Sequence, residues 1–198
     1  MYSILAGIMI SLGCIINLQI GGIGGALFFS LGLLTILIFN FELFTGRAGL
    51  IPTGQITWKK LGFIWLGNLY GCAAVAGAMM LTPIGTSLGI AAQFIVATRV
   101  ANGMLANVVL GGCCGILMYI GVTLFKKENN PLYAMMPVAT FILSGYNHCV
   151  ADMFYLLIAG APLTAWATII PTTIGNILGC CLISTIQNYY SKYFPWQK

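Results

Sequence analysis

His148 is the only histidine in the chain, and four residues after it comes Asp152, one of only three acidic residues. The stretch that holds them, Ser144-Gly145-Tyr146-Asn147-His148-Cys149-Val150-Ala151-Asp152-Met153, interrupts a segment that is otherwise apolar. An ionisable side chain at bilayer depth is costly, so it ordinarily faces a water-filled path and has a task there. Imidazole is the side chain best placed to exchange a proton near neutral pH. Positions i and i+4 share a helix face. Asp152 therefore either sits near His148 and tunes it, or takes over a hydrogen-bonding job at a helix end. Cys149 adjoins His148, but neighbours in sequence do not face each other on a helix, so a cysteine–histidine nucleophile is not expected.

A second polar interruption lies at Asn40-Phe41-Glu42-Leu43-Phe44-Thr45-Gly46-Arg47. A continuous lipid-facing helix would not carry Glu42 and Arg47 together. Irregular backbone at membrane depth is tolerated only where it is buried in protein or lines a cavity. The stretch reads as a broken helix whose second half runs from about Gly46 to Thr53.

These two interruptions need a membrane scaffold to position them. Sixty per cent of the residues are apolar and six per cent are charged, against about a quarter charged in a soluble domain. Lipid must cover most of such a surface, and the long continuous apolar runs specify an all-α integral membrane protein, not a β-barrel. The net charge of +5 does not indicate nucleic acid, because no basic cluster with interleaved aromatics is present to track a phosphate backbone. The seven cysteines fall in apolar segments without a CxxC spacing. They read as small helix-packing residues, and a single histidine offers no metal site. No cofactor is expected.

Six spans follow from the apolar runs: about 3–18, 26–53 with its break, 61–81, 100–125, 132–158 with its break, and 163–186. The first is read as a span because it lacks the basic flank and cleavage pattern of a signal peptide. Residues 84–98, rich in Gly, Ser, Thr and Ala, read as a connection, and the aromatic tail from Tyr189 to Trp196 as an interfacial anchor. Arg47, Lys59, Lys60, Lys126, Lys127, Lys192 and Lys198 fall on one side of this topology, and Arg99 alone on the other. The positive-inside rule then places both termini in the cytoplasm of a cell-membrane protein.

The chain also repeats itself. Gly67-Asn68-Leu69-Tyr70-Gly71-Cys72 in the third span matches Gly175-Asn176-Ile177-Leu178-Gly179-Cys180 in the sixth. Each follows a span that breaks. Three spans per half invert one half against the other, with the repeats at about 1–97 and 98–198 of a single domain. Matching broken segments in inverted halves point to a site for a transported solute.

The ordered set Phe29-Ser30-Leu31-Gly32-Leu33, Glu42-Leu43-Phe44-Thr45-Gly46, Gly103-Met104-Leu105-Ala106-Asn107, and Pro137-Val138-Ala139-Thr140-Phe141 running into Ser144-Gly145-Tyr146-Asn147-His148 resembles the formate/nitrite transporter family over essentially the whole chain. The resemblance implies an aquaporin-like six-helix protomer with helices two and five broken. It also implies a homopentamer with one pore per protomer, embedded in a lipid bilayer, and a small monovalent anion such as formate, nitrite or hydrosulfide as its partner. Leu43, Phe44 and Thr45 resemble the loop that breaks helix two, and Phe29 and Leu33 its apolar pore lining; in that arrangement Thr45 can hydrogen-bond the buried imidazole and set its tautomer. Phe141 is similar to the aromatic constriction of helix five, His148 to the central histidine, and Asn107 and Leu110 to pore-side positions of helix four. Glu42 is expected to accept backbone N–H bonds that hold the loop, since a fixed negative charge does nothing for anion passage. Arg99 either snorkels to the interface or draws anions to the outer mouth, as basic vestibule residues do in that family. Asn147 stands where many members carry Glu, and Asp152 where many carry Asn.

A bare anion crossing a ring of Phe and Leu meets a heavy desolvation cost, and its neutral acid a far smaller one. The proton comes either from His148 or from water in a vestibule, with His148 then giving only a polar contact. The rival function on the same geometry is a channel for neutral solutes such as water, glycerol, ammonia or urea.

Overall fold

The computed structural model describes residues 1–193, all of its regular structure helical. Four segments are long and apolar enough to cross a membrane: α1 (Tyr2–Ile20), α4 (Trp58–Met80), α5 (Gly85–Glu128) and the run Leu163–Lys192. That last run comprises α8 (Leu163–Trp166) and the body of α9 (Ile169–Tyr193). Three shorter apolar helices, α2 (Gly22–Ile38), α6 (Pro131–Leu143) and α7 (Cys149–Ile158), and the one-turn α3 (Phe44–Ala48) make up the rest of the helices among the described residues. The aromatic anchor expected after Tyr189 lies partly outside the described residues, which end at Tyr193.

α1 lies against α4 and α2; α5 lies against α9 and α6; α2 meets α6, and α4 meets α7. Both tightest pairs close on backbone. A Cβ on Gly71 would overlap the Ile4 carbonyl, and one on Gly179 would overlap that of Gly112. Lipid gives helices no hydrophobic reason to associate, so such small-residue faces, where backbones approach closely, supply the packing.

The stretch expected as a connection, 84–98, is instead the first part of α5. Leu88, Gly89, Ala92 and Val96 recur at helical spacing and are buried. Gly89 packs against the carbonyl of Ile158 at the end of α7. Small residues that read as loop composition are here a helix face pressed on a neighbour. Gly103, at φ 72° and ψ 179°, then interrupts the helix before it resumes towards Glu128. The turn after α5 is short. Asn129 adopts the left-handed conformation, the Asn130 side chain accepts the Leu132 N–H, and Pro131 opens α6, a position where its missing N–H does no harm.

Candidate functional site

Two gaps in the helices create the site. α2 ends at Ile38 and α3 begins at Phe44; α6 ends at Leu143 and α7 begins at Cys149. α3 is thus shorter than the expected half-helix to Thr53, and α7 starts earlier than the expected Met153. Each gap leaves a helix N-terminus with unpaired N–H groups. One asparagine braces each gap. Asn68 of α4 accepts the Phe44 N–H at 2.9 Å and donates to the carbonyls of Glu42 at 3.0 Å and Ser3 at 2.7 Å. Asn176 of α9 accepts the Cys149 N–H at 2.9 Å and donates to the carbonyls of Asn147 and Gly111, both at 2.8 Å. The cysteine four residues after each asparagine reaches the other gap. Cys72 Sγ donates to the Val150 carbonyl, and Cys180 Sγ to that of Thr45. The Gly-Asn repeat thus marks one device used twice. Its spacing was visible in the sequence, its hydrogen-bonding task was not.

His148 sits at the second gap as the N-cap of α7. Its Nδ1 accepts the Ala151 N–H at 3.2 Å. A ring nitrogen that accepts carries no proton, so the neutral imidazole bears its proton on Nε2. Nε2 lies 2.9 Å from Thr45 Oγ1 of α3 and donates to it. Both side chains are about 1% exposed. Phe141 stacks on the imidazole, centroids 5.5 Å apart and planes at 18°. Phe29 meets Phe141 edge-on at 5.9 Å. Phe29, Phe141, His148 and Thr45 form one continuous buried unit.

Cavities lie on either side of this unit. One is lined by Leu33, Leu43, Gly46 and Ile36, with Arg47 and Lys126 at its rim. The other is lined by Phe141, His148, Arg99, Asp152, Asn17, Thr98 and Tyr155. Of these, Asn17 and Tyr155 are not among the site residues expected from sequence: Asn17 reads with Gln19 as the polar end of the first span, and Tyr155 as an aromatic within an apolar run.

Phe44 is buried but turns towards a groove shared by Trp58, Leu61, Trp65 and Ile177, away from both cavities. Leu110 is half-buried, and its carbonyl accepts the Asn147 N–H at 3.4 Å. Asn107 donates to the Arg99 carbonyl at 2.7 Å across the Gly103 kink, and its Oδ1 accepts from Asn147 Nδ2 at 2.7 Å. Asn107 therefore holds the backbone of α5 beside the second gap, the Asn147 side chain bonds to Asn107, and neither lines a cavity. The acceptor role expected of Glu42 is performed by Asn68, and the Glu42 carboxylate pairs instead with Lys60 at 3.1 Å. Asp152 pairs not with His148 but with Arg99, Nε to Oδ1 at 3.3 Å. Arg99 also donates from Nη1 to the carbonyl of Gly145, the left-handed residue of the gap. No group of three or more potential metal ligands occurs among the described residues.

A family model described as formate/nitrite transporter matches residues 1–190. Formate-nitrite transporter 2 of Toxoplasma gondii is 31% identical over 181 residues, covering 80% of this chain but 39% of that protein. Formate channel FocA of Escherichia coli (strain K12) is 30% identical over 200 residues, covering 78% of this chain and 68% of that one. A solved pentameric formate channel with formate bound superposes with a TM-score of 0.80 at 26% identity, covering 97% of this chain and 95% of that chain.

Proposed function

The chain belongs to the formate/nitrite transporter family, and on that premise we propose that it is a transmembrane channel for small monovalent weak-acid anions such as formate, nitrite or hydrosulfide. The protomer crosses the membrane six times as two inverted three-helix repeats, with the second and fifth crossings broken at the two gaps. It works as a homopentamer with a path through each protomer. Its lysine-rich side, with both termini, faces the cytoplasm of a cell-membrane protein.

The observation that carries this reading is the buried unit of Phe29, Phe141, Thr45 and His148 set between two cavities. Leu33 and Leu43 narrow the path on one side of the Thr45–His148 pair, and Phe29 and Phe141 on the other. A solute that passes must shed water, which a neutral acid does far more cheaply than its anion. Both ring nitrogens of His148 are engaged by the protein. That arrangement favours proton supply from water in the vestibule, with the imidazole fixing the polar point along an apolar path. The neutral-solute alternative is not favoured, because the relatives are named for formate and nitrite.

Flux of formate, nitrite and hydrosulfide in proteoliposomes, followed against pH for the wild type and His148→Phe, tests the reading. We expect saturable flux of at least one anion that rises as pH falls, and a changed pH profile in the variant. Unchanged flux and pH dependence in His148→Phe would remove the role given to His148. A pH-flat flux of glycerol or urea in swelling assays, without anion flux, would favour the neutral-solute channel.

A further inference from the structure

The two cavities differ in charge. The chain has three acidic residues, and each is committed to an ion pair: Glu42 with Lys60, Glu128 with Lys127, and Asp152 with Arg99. Arg47 and Lys126, at the rim of the Leu33–Leu43 cavity, have no acidic partner among the described residues. Arg99 is the cation of the opposite cavity, and its counter-ion lines the same cavity. The Arg99 side chain is 12% exposed and that of Asp152 4%, so water screens the pair poorly and their fields cancel at a distance.

We propose that Asp152 is a specificity-determining residue: it masks Arg99 as a built-in counter-ion, so that the vestibule before His148 receives its solute by short-range hydrogen bonding and not by long-range attraction of anions. The inference rests on the channel reading above. A guanidinium carries five donors. Here Nε goes to Asp152 and Nη1 to the Gly145 carbonyl, leaving others to meet a solute oxygen in the cavity. The second oxygen of Asp152, Oδ2, is buried without a hydrogen bond of its own, with the Thr172 hydroxyl nearby. A solute anion at Arg99 must therefore compete with a carboxylate already in place. The opposite mouth, with Arg47 and Lys126 uncompensated, gathers anions by charge.

The test uses the full-length protein and the conservative variant Asp152→Asn, which keeps an acceptor for Arg99 Nε. Formate uptake into right-side-out vesicles would be measured against formate concentration and ionic strength, with Arg99→Gln/Asp152→Asn as a second variant. Binding of formate to purified protein in detergent, read as a shift in unfolding temperature, would be measured in parallel and needs no flux. We expect Asp152→Asn to lower the half-saturating formate concentration on the order of tenfold and to make uptake fall with added salt. The double variant should return to salt-independent uptake. Wild-type uptake from the Arg99 face should be nearly indifferent to ionic strength, a measurement that stands even where a variant fails to fold. Flux with unchanged half-saturation and salt response in Asp152→Asn, or steeply salt-dependent wild-type uptake from that face, overturns the masking role and leaves the channel reading intact. Anion-dependent stabilisation gained by Asp152→Asn in a protein that carries no anion supports the masking role and overturns the channel reading.

Discussion

Thr45 Oγ1 and His148 Nε2 lie 2.9 Å apart although 103 positions separate them in the chain. The contact joins α3 to α7, the two short helices that begin at the two gaps. Because the Ala151 N–H fixes Nδ1 as the acceptor, Thr45 receives the one proton the neutral ring carries. Thr45→Val keeps the shape and leaves that N–H buried without a partner, at a cost of about 1–3 kcal/mol. Thr45→Ser keeps the hydroxyl. We expect Thr45→Val to lower both the unfolding temperature and formate flux, and Thr45→Ser to retain most of each. Equal behaviour of the two variants would dissociate the hydroxyl from the site.

The asparagines that brace the gaps should be more costly to remove than their neighbours. Asn68→Leu strands the Phe44 N–H and the carbonyls of Glu42 and Ser3; Asn176→Leu strands the Cys149 N–H and the carbonyls of Asn147 and Gly111. Each stranded buried group costs about 1–3 kcal/mol. Both variants should therefore lose several kcal/mol, read as a large fall in unfolding temperature and in membrane yield. A loss no larger than that of an exposed α4 substitution such as Tyr70→Leu would refute the bracing role.

Two glycines should respond with opposite signs. A Cβ on Gly179 would overlap the Gly112 carbonyl, whereas one on Gly62 meets nothing within 4 Å. Gly179→Ala must push α5 from α9, and overpacking of this kind costs about 1–3 kcal/mol. Gly62→Ala gains about 0.5–1 kcal/mol from lower chain entropy in a helix interior. Unfolding temperatures of the two variants beside the wild type provide the comparison.

Much of this arrangement was legible because membrane burial makes polar residues conspicuous. Glu42, Arg47 and His148 stand out in apolar runs, so both gaps are legible without a structure, whereas the pairing of Thr45 with His148 follows only from the family resemblance. The partners of the charges were not legible. Asp152 lies one helical turn from His148 but pairs with Arg99, 53 positions away, because the helical continuation of α5 from Gly85 carries Arg99 to the α7 gap. The start of α5 is hidden in the sequence because Gly and Ala, which mark loops, also mark faces where helices pack closely. The direction of Phe44 was hidden for a related reason. One turn of α3 fixes where Thr45 points and leaves its neighbour aimed at the opposite side.

Removing one partner of the Arg99–Asp152 pair should be more damaging than removing both. Arg99→Gln leaves the Asp152 carboxylate 4% exposed and uncompensated, and breaking a buried pair in this way costs about 3–5 kcal/mol. It also loses the donor to the Gly145 carbonyl at the gap. Arg99→Gln/Asp152→Asn removes the stranded charge and should recover most of the lost stability. Calorimetry or detergent-melting curves of the single and double variants decide it. Losses that simply add would mean that the two residues are not coupled in the folded protein.

Phe141 separates His148 from Phe29 while touching both, so its removal should alter selectivity before anything else. Phe141→Ala takes away the aromatic wall on the Arg99 side of the imidazole and lets water reach the ring. The barrier to a hydrated anion then falls, and each 1.36 kcal/mol removed is about tenfold in rate. Larger monocarboxylates such as lactate should gain most, because width as well as desolvation restrains them. We expect the lactate-to-formate flux ratio to rise on the order of tenfold. Phe141→Leu, which keeps an apolar wall, should change it much less. The same experiment on Phe44→Ala is the control, since Phe44 faces a groove away from both cavities: it should lose stability without a shift in the ratio. A matching rise in Phe44→Ala would mean that the path runs elsewhere than between the two cavities.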